Sequence, residues 1–188
     1  MEKRVVIACD DGVVNKLGGG WTIISCVLWR RGEGPVRIGH LPVHIDGLDA
    51  SGQVAYIASA LSNGLDVEGV LFDSITTAGF NLISPPQVQR AARAPVIILY
   101  KRRPRWTRIL AALERHFSDA WLRLRVISLV RDVVQLSTRR GVLYAILWGL
   151  SSGKAVELIE KYQVAGRMPE PLRFVHLYAS ALSRVLIQ

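Results

Sequence analysis

The order of apolar segments is the feature of this chain that most restricts its fold. Val5–Cys9 is an uninterrupted apolar run, which is typical of a central strand covered on both faces. Two more strand-like segments, Trp21–Trp29 and Val36–Ile45, follow it. They are reached through turns at Asn15–Gly20 and Arg30–Pro35, and strands joined this closely form an antiparallel meander. Helical and strand-like segments then alternate, which predicts an α/β fold with a mixed sheet and flanking helices.

The spacing of apolar residues places the later elements. Helical spacing occurs at Val54–Leu61, Trp106–Phe117, Ala155–Tyr162 and Leu172–Leu186. Ser84 followed by Pro85 is a typical N-cap and first helical position, so a further helix should run towards Arg93. Short, mostly apolar segments predict strands at Val67–Phe72, Val96–Tyr100, Leu124–Leu129 and Val142–Trp148.

The overall composition favours a globular protein with a polyanionic partner. A chain of 188 residues fits one domain of ordinary size, so we expect residues 1–188 to form a single domain. Lys and Arg outnumber Asp and Glu by 24 to 15, and the net charge of +9 favours nucleic acid before an anionic membrane surface. No signal peptide and no uncharged apolar run of roughly 18 residues is present, so we expect a cytoplasmic protein that does not enter membranes.

The cysteines, Cys9 and Cys26, both lie inside apolar runs. Because two cysteines without clustered histidines make no zinc site, buried free thiols are the expected state. A Cys9–Cys26 disulfide is the alternative if the source is a hyperthermophile, where intracellular disulfides occur.

Two aspartates directly follow apolar strands and are candidate metal ligands. Asp10 follows Val5–Cys9, and Asp73 follows Val67–Phe72. Ligand sites of open α/β sheets lie at the carboxyl ends of strands, and carboxylates that meet there bind hard cations. One shared ion requires the carboxylates to lie within roughly 6 Å of each other, given oxygen–metal distances of about 2.0–2.6 Å. The alternative for either aspartate alone is that it simply terminates its strand.

Three more aspartates bear on this site. Asp11 should point to the opposite side of the sheet from Asp10, and the apolar run does not say which of the two faces the site. Asp46 and Asp49 close the third strand and are candidates for a third carboxylate ligand. Their alternative roles are ordinary turn chemistry and, for Asp49, a helix N-cap.

A basic segment follows the strand Val96–Tyr100. Trp106 is surrounded by Lys101, Arg102, Arg103, Arg105 and Arg108. Cations with an interleaved aromatic ring can contact phosphates and stack on bases, although Trp106 also falls on the apolar stripe of its helix. A second basic set is expected by default to lie on a solvent-exposed face. It comprises Arg123, Arg125, Arg131, Arg139 and Arg140.

Two further segments carry candidate side chains. The loop Ser74–Asn81 is small and hydroxyl-rich, so it either lets a phosphate or base approach or is an ordinary connection. In Arg167–His176, Pro171 stands at a natural helix start, and His176 lies about one turn into the helix. A histidine near a metal site can move protons near neutral pH, whereas a lone helical histidine is more often a core or boundary residue.

From Leu143 to Arg184 the chain resembles the C-terminal part of endonuclease V. That family has a strand ending in glycine, a helix, and then an R-x-P-E-P-[TL]-R-x-A-H segment. Arg167–His176 corresponds to this segment, with Val175 in place of the alanine.

Four motifs in order are similar to a related archaeal family called endonuclease dU, and this resemblance covers nearly the whole chain. The motifs are Asp10-Asp11-Gly12, Asp46–Ala50, Asp73 with Ala78–Asn81, and the basic strand end before Pro104. The resemblance implies a ribonuclease H-like fold and a divalent-metal site that cleaves phosphodiesters.

The resemblance also implies roles for single residues. The metal-binding aspartates of endonuclease V correspond to Asp10 and Asp73. Its helical histidine corresponds to His176, and its strand-end lysine lies on or beside Lys101.

Two features of endonuclease V have no direct match. The nearest position to its glutamate is Gln53, so Asp46 or Asp49 would have to substitute. Its Pro-Tyr-Ile-Pro wedge is replaced by His44–Gly47, so recognition of hypoxanthine does not transfer.

We therefore expect a Mg²⁺- or Mn²⁺-dependent endonuclease that acts on DNA, or else RNA, at uracil or another damaged base. The predicted catalytic residues are Asp10, Asp73, Asp49, His176 and Lys101, and the predicted metal ligands are Asp10, Asp73, Asp49 and Asp46. The predicted nucleic-acid contacts are Arg102, Arg103, Arg105, Trp106 and Asn81. The main alternative is a non-catalytic nucleic-acid-binding protein, favoured by the missing glutamate; an enzyme on a small phosphorylated metabolite is less favoured because no glycine-rich phosphate loop is present. The sequence carries no signal for an oligomeric state.

Overall fold

A computed structural model of the protein describes residues 4–14, 19–130 and 132–186. Residues 15–18 of the turn predicted at Asn15–Gly20 and the cation Arg131 therefore lie outside the described residues. The strands are β1 (Val5–Asp11), β2 (Trp21–Arg30), β3 (Gly34–His44), β4 (Val67–Phe72), β5 (Thr76–Thr77), β6 (Asn81–Leu82), β7 (Val96–Tyr100), β8 (Val134–Thr138) and β9 (Gly141–Trp148). The helices are α1 (Ala50–Ser62), α2 (Pro85–Ala92), α3 (Trp106–His116), α4 (Ala120–Ser128), α5 (Ser152–Tyr162) and α6 (Glu170–Leu186).

Seven of the described strands form one mixed sheet in the order β3-β2-β1-β4-β7-β9-β8. The first three strands are antiparallel neighbours, which confirms the predicted meander. β1, β4 and β7 are parallel neighbours at the centre of the sheet, and β9 runs antiparallel to β7. The predicted α/β fold with a mixed sheet is confirmed, and the carboxyl ends of three parallel strands meet at one edge.

The central strands are buried between two apolar layers. Successive strand residues point to opposite faces, so Ile7 and Val70 pack in one layer, with α1 and α2. Ala8 and Leu71 pack in the other layer, with α5 and α6. Because both faces are covered, these strands are mostly apolar in the sequence.

Most predicted elements agree with the structure, but one strand was predicted wrongly. β4 and β7 have the predicted bounds, and Pro85 begins α2. The strand predicted at Leu124–Leu129 is wrong because this segment lies in α4 and places Ile127 against Leu113 of α3. β8 was not predicted, since Leu136 is its one buried residue and its apolar pattern is weak. The short strands β5 and β6 were not predicted either.

Helix α6 carries the buried stripe that its periodicity predicts over most of its length. Leu172, Val175 and Ala179 are buried, whereas Leu186, predicted on the same face, is 58% exposed. No helix within the described ranges is long and apolar enough to cross a membrane.

Cys9 and Cys26 are direct partners across β1 and β2 and form a disulfide. The expectation of free thiols is therefore wrong, and the alternative is the observed state. The cysteines are separated by 17 positions, and the antiparallel register of the meander places them opposite each other. The bridge lies in the layer of α1 and α2, one residue before Asp10.

Candidate active site

Strand alternation places three candidate side chains on the same face and at the same edge of the sheet. Asp10 comes two residues after Ala8, and Asp73 comes two residues after Leu71. Ala8 and Leu71 both pack in the layer of α5 and α6. Lys101 follows β7 in the same way, two residues after a residue of that layer. Because β1, β4 and β7 are parallel neighbours, these three side chains converge beside α6.

Helix α6 completes this cluster with a histidine. The Nδ1 atom of His176 lies 2.7 Å from Oδ2 of Asp10, in a contact across 166 sequence positions. Asp10, Asp73 and His176 each offer one ligand atom, and these atoms lie within 4.8 Å of one another. The distance needed for a shared ion is therefore met, and in the described part of the chain these residues form a group that can hold a metal ion.

The electrostatics of the group fit a cation. Asp10 is 7% exposed, and burial, followed by the charges of Asp73 and Asp11, raises the pKa of its carboxyl well above the usual range. Asp73 is exposed, but neighbouring protein atoms that reduce its hydration and the charge of Asp11 still raise the pKa of its carboxyl, while His176 and Lys101 act in the opposite direction. Carboxylates that repel each other in a partly dry site are stabilised when a cation binds between them.

Asp11 points away from this group, so Asp10 is the aspartate of the pair that faces His176. Oδ2 of Asp11 accepts a hydrogen bond of 2.8 Å from the backbone N–H of Ala78, on the loop after β4. Asp11 therefore anchors the loop, and its charge acts on the neighbouring aspartates.

The structure does not bring Asp46 or Asp49 into the metal-capable group. Asp46 has a φ of 58°, and its Oδ1 accepts a hydrogen bond of 2.8 Å from the N–H of Phe80. Asp49 accepts one of 2.7 Å from Nδ2 of Asn81 and lies 2.9 Å from Nδ1 of His44. Both carboxylates hold the turn between β3 and α1 against the loop before β6. Asp49 occupies the N-cap position of α1 without a side-chain capping bond.

The pKa of Asp49 moves in the opposite direction from that of Asp10. Partial burial alone would raise the pKa of Asp49, but hydrogen bonds from Asn81 and then His44 outweigh it and lower the pKa. The hydrogen-bond donors around Asp49 thus stabilise its charged form without a metal.

Two of the predicted nucleic-acid contacts are occupied by structural roles. Asn81 is fully buried, and its amide donates to the carbonyl of His44 and accepts from the N–H of Ala50. The side chain is therefore not available to nucleic acid, and that expectation is corrected. Trp106 is partly buried and packs against two apolar clusters, so its ring belongs to the core rather than to an open stacking surface.

The predicted cations at the end of β7 are all exposed, but only two of them border the candidate site. Lys101 and Arg102 line a cleft of about 560 Å³ together with Asp73 and His176. Arg103 and Arg105 are not among the residues that line it. This cleft connects the metal-capable group to solvent.

Two cleft cations were absent from the predicted nucleic-acid contacts. Arg167 and Arg173, which flank the start of α6, line the same cleft. Their place in the motif that also contains His176 was the signal that could have identified them.

Two buried polar residues near the site were also not identified from the sequence. Ser25 lies directly opposite Asp10 in the strand register, is fully buried, and has no hydrogen-bond partner for its hydroxyl among the described residues. Arg123 is 3% exposed, not solvated as its basic set suggested. It pairs with Asp119 at 3.0 Å and donates to the carbonyls of Asp46, Gly47 and Phe80.

Comparison with known proteins places the chain among the relatives that its motifs suggest. The model of the endonuclease dU family matches residues 2–183. The chain belongs to the endonuclease dU family. A "UPF0215 protein" of Aeropyrum pernix is 39% identical over 184 residues, covering 96% of this chain and 98% of the relative. A second relative, from Pyrococcus horikoshii, is 32% identical over 178 residues, covering 94% and 91% of the two chains.

Solved structures share the fold of this endonuclease dU family member. A protein of unknown function from Archaeoglobus fulgidus aligns with a TM-score of 0.83 at 24% identity, covering 96% of this chain and 98% of the other. The catalytic domain of human endonuclease V aligns with a TM-score of 0.55 at 18% identity, covering 98% and 82%. Endonuclease V of Ciona intestinalis, in complex with a DNA 24mer that contains inosine, aligns with a TM-score of 0.54 at 12% identity, covering 98% and 86%. The expected endonuclease V-like fold is confirmed.

Proposed function

We propose that this protein is an endonuclease that depends on Mg²⁺ or Mn²⁺ and hydrolyses phosphodiester bonds in DNA, at uracil or another deaminated or damaged base. The observation that carries the proposal is the convergence of Asp10, Asp73 and His176 at the carboxyl edge of the sheet. The family name points to a nuclease. The DNA complex of a protein with the same fold points to DNA as the partner.

In this proposal Asp10 and Asp73 hold the ion, with His176 beside them. Carboxylate oxygens are the ligands that Mg²⁺ and Mn²⁺ prefer, which favours these ions over softer ones. When bound, the ion supplies neutralisation of the negative charge on the phosphodiester. Asp46 and Asp49 are left out of the proposed ligand set because their oxygens are engaged in the loop.

His176 and Lys101 act on the substrate in this proposal. Because Nδ1 of His176 is hydrogen-bonded to Asp10, Nε2 is the nitrogen left to exchange a proton with a reacting group. Lys101 lines the cleft with Asp73 and provides a cation for a phosphate oxygen.

A second candidate function is nucleic-acid binding without cleavage. It is favoured by the absence of a third carboxylate from the metal-capable group within the described residues. The two candidates make different predictions about one substitution, since only the nuclease requires the charge of Asp73.

A cleavage assay tests the proposal. Uracil-, hypoxanthine- and abasic-site-containing DNA, with matched RNA, is incubated with the wild-type protein and with Asp73→Asn in Mg²⁺ or Mn²⁺. We expect the wild type to cleave at least one damaged DNA and Asp73→Asn to lose at least about a hundredfold in rate, because the proposed ion loses a ligand.

Asp66→Asn is the matched control for this assay. Asp66 is exposed and precedes β4, so the same substitution is made at the opposite end of the strand that leads to Asp73. Its cleavage rate should equal that of the wild type. If the wild type cleaves none of these substrates while both it and Asp73→Asn bind them, the nuclease proposal fails and the binding function takes its place.

A further inference from the structure

The cleft extends well beyond the metal-capable group. One of its walls is the end of β7, with Lys101 and Arg102. The other wall is the segment that leads into α6, with Arg167 and Arg173. Its buried apolar lining comes from Leu99, Met168 and Leu172. We refer to the part formed by Arg167, Met168, Leu172 and Arg173 as the arginine arm.

Within the arginine arm, Arg167 is the residue that lies away from the metal-capable group. The Arg167 side chain packs against Gly141 at the start of β9, and its Nη1 donates to the carbonyl of Val142 at 3.3 Å. β9 is two strands away from β4, which leads to Asp73. Because neighbouring strands are about 4.8 Å apart, Arg167 reaches roughly 10 Å across the sheet edge from the end of β4.

The cations of the cleft are largely uncompensated. Within the described part of the chain, Lys101, Arg102 and Arg167 form no ion pair with a carboxylate. Arg173 pairs with Glu170 at 3.0 Å, but its side chain is 47% exposed, and such surface pairs contribute little free energy. The cleft therefore concentrates positive charge opposite its one carboxylate, Asp73.

We propose that the arginine arm binds the backbone phosphates that flank the cleavage point on one side of the substrate strand. The inference rests on the proposed function and adds a direction to it: the strand leaves the metal-capable group across β7 towards the start of α6. Because Arg167 lies roughly 10 Å from the end of β4, it would contact phosphates beside the cleaved one rather than the cleaved phosphate itself. Arginine suits this role because its planar fork donates two hydrogen bonds to one phosphate.

Binding measurements without divalent ions test the proposal separately from cleavage. The affinity for a fluorescent uracil-containing DNA 20-mer is measured by anisotropy in EDTA across a salt series, for wild type and for the double variant Arg167→Gln/Arg173→Gln. We expect the double variant to bind at least about tenfold more weakly. The slope of log K against log salt should fall by about 2, one unit for each phosphate that the variant no longer neutralises.

The matched control is Arg90→Gln/Arg93→Gln. Both residues are exposed and flank the end of α2, on the opposite face of the sheet. This variant loses the same charge, so an effect of net charge alone would appear in it equally. Equal losses of affinity in the two double variants would overturn the proposal, as would an unchanged salt slope in Arg167→Gln/Arg173→Gln.

A second measurement gives the direction of the strand and does not depend on a variant. Oligonucleotides are shortened from the 5′ or the 3′ side of the uracil, and wild-type affinity should fall when one side is shortened but not the other. The double variant should be insensitive to that same shortening, whereas equal sensitivity to both sides would contradict the proposal. Both binding measurements are made without cleavage, so a failure of the arm appears in them and a failure of the nuclease proposal appears only in the cleavage assay.

Discussion

Two pairs of aspartates lie at or just beyond the ends of strands in this chain, and their surroundings differ. Asp10 and Asp73 converge beside His176, where loss of hydration and nearby negative charges raise the pKa of both carboxyls. Asp46 and Asp49 lie in the turn after β3, where backbone and amide donors surround them. In the first pair, loss of hydration and negative charge outweigh the hydrogen bonds that the carboxylates accept, whereas in the second pair hydrogen-bond donors hold the carboxylates in place.

The difference shows what separates a ligand site from a structural carboxylate. A carboxylate that already accepts strong hydrogen bonds gains little from a cation, while one that is buried beside another carboxylate gains a great deal. The type of residue is the same in both pairs, and both pairs lie near the ends of strands. The environment built by distant segments decides which pair can hold an ion.

The largest effect on stability is expected from Arg123, which holds the turn that contains Asp46 and Asp49. Arg123→Met should lower the free energy of unfolding by about 3–5 kcal/mol, because it leaves Asp119 and three backbone carbonyls without their buried partner. Denaturant unfolding measures the change. Arg125→Met, on the exposed side of the same helix, should change stability by no more than about 0.5 kcal/mol. Similar losses of stability in both variants would refute the role assigned to Arg123.

The next largest effect is the stabilisation that Mn²⁺ gives through Asp10 and Asp73. At a Mn²⁺ concentration of 100 times Kd, the wild type should gain about 2.7 kcal/mol of stability, and Asp10→Asn should gain almost none because a ligand is removed. Thermal unfolding with and without Mn²⁺ measures this gain. Asp46→Asn should keep the full Mn²⁺ effect; if it loses the effect as well, the division between the two pairs is wrong.

A smaller effect is expected when the structural pair is truncated. Asp49→Ala should cost about 1–3 kcal/mol, since Asn81 and His44 lose a buried or half-buried acceptor. Calorimetry measures the loss, and titration with Mn²⁺ should give the wild-type affinity. A Kd for Mn²⁺ raised tenfold or more in folded Asp49→Ala would instead assign Asp49 to the metal site.

The pH dependence should have opposite signs for the two pairs in metal-free protein. The raised pKa of Asp10 favours the folded state only at low pH, so its contribution is lost as pH rises from about 3.9 towards the folded-state pKa. Asp10→Asn should therefore become more stable relative to wild type as pH rises from 4 to 8.

The lowered pKa of Asp49 gives the reverse behaviour. Its contribution is present above about 3.9 and is lost as pH falls through the folded-state pKa, so Asp49→Asn should lose stability relative to wild type as pH rises from 3 to 5. Melting temperatures of the wild type, Asp10→Asn and Asp49→Asn, measured over both pH ranges, test both signs. A common sign for both variants would contradict the contrast between the pairs.

Local patterns predicted the core of the fold well, because strands that are buried on both faces consist mostly of apolar residues. The strands β4 and β7 have the predicted bounds, and each leads directly to a residue of the site, Asp73 and Lys101. The strand predicted at Leu124–Leu129 is wrong because a short, mostly apolar segment does not by itself distinguish a strand from a helix. Contact with α3 and the anchoring of Arg123 make it helical instead.

The order of strands and helices, the positive charge and the positions of Asp10, Asp73 and His176 follow from the amino-acid sequence, since each is a property of residue type and spacing. The choice of Asp10 over Asp11, the Cys9–Cys26 bridge and the exclusion of Asp46 and Asp49 follow from strand register and loop contacts. These depend on pairs of residues far apart in the chain, and a single sequence does not record which distant groups meet. The metal-capable group around Asp10 is therefore a property of the assembled sheet edge, where three strands and one helix bring their charges together.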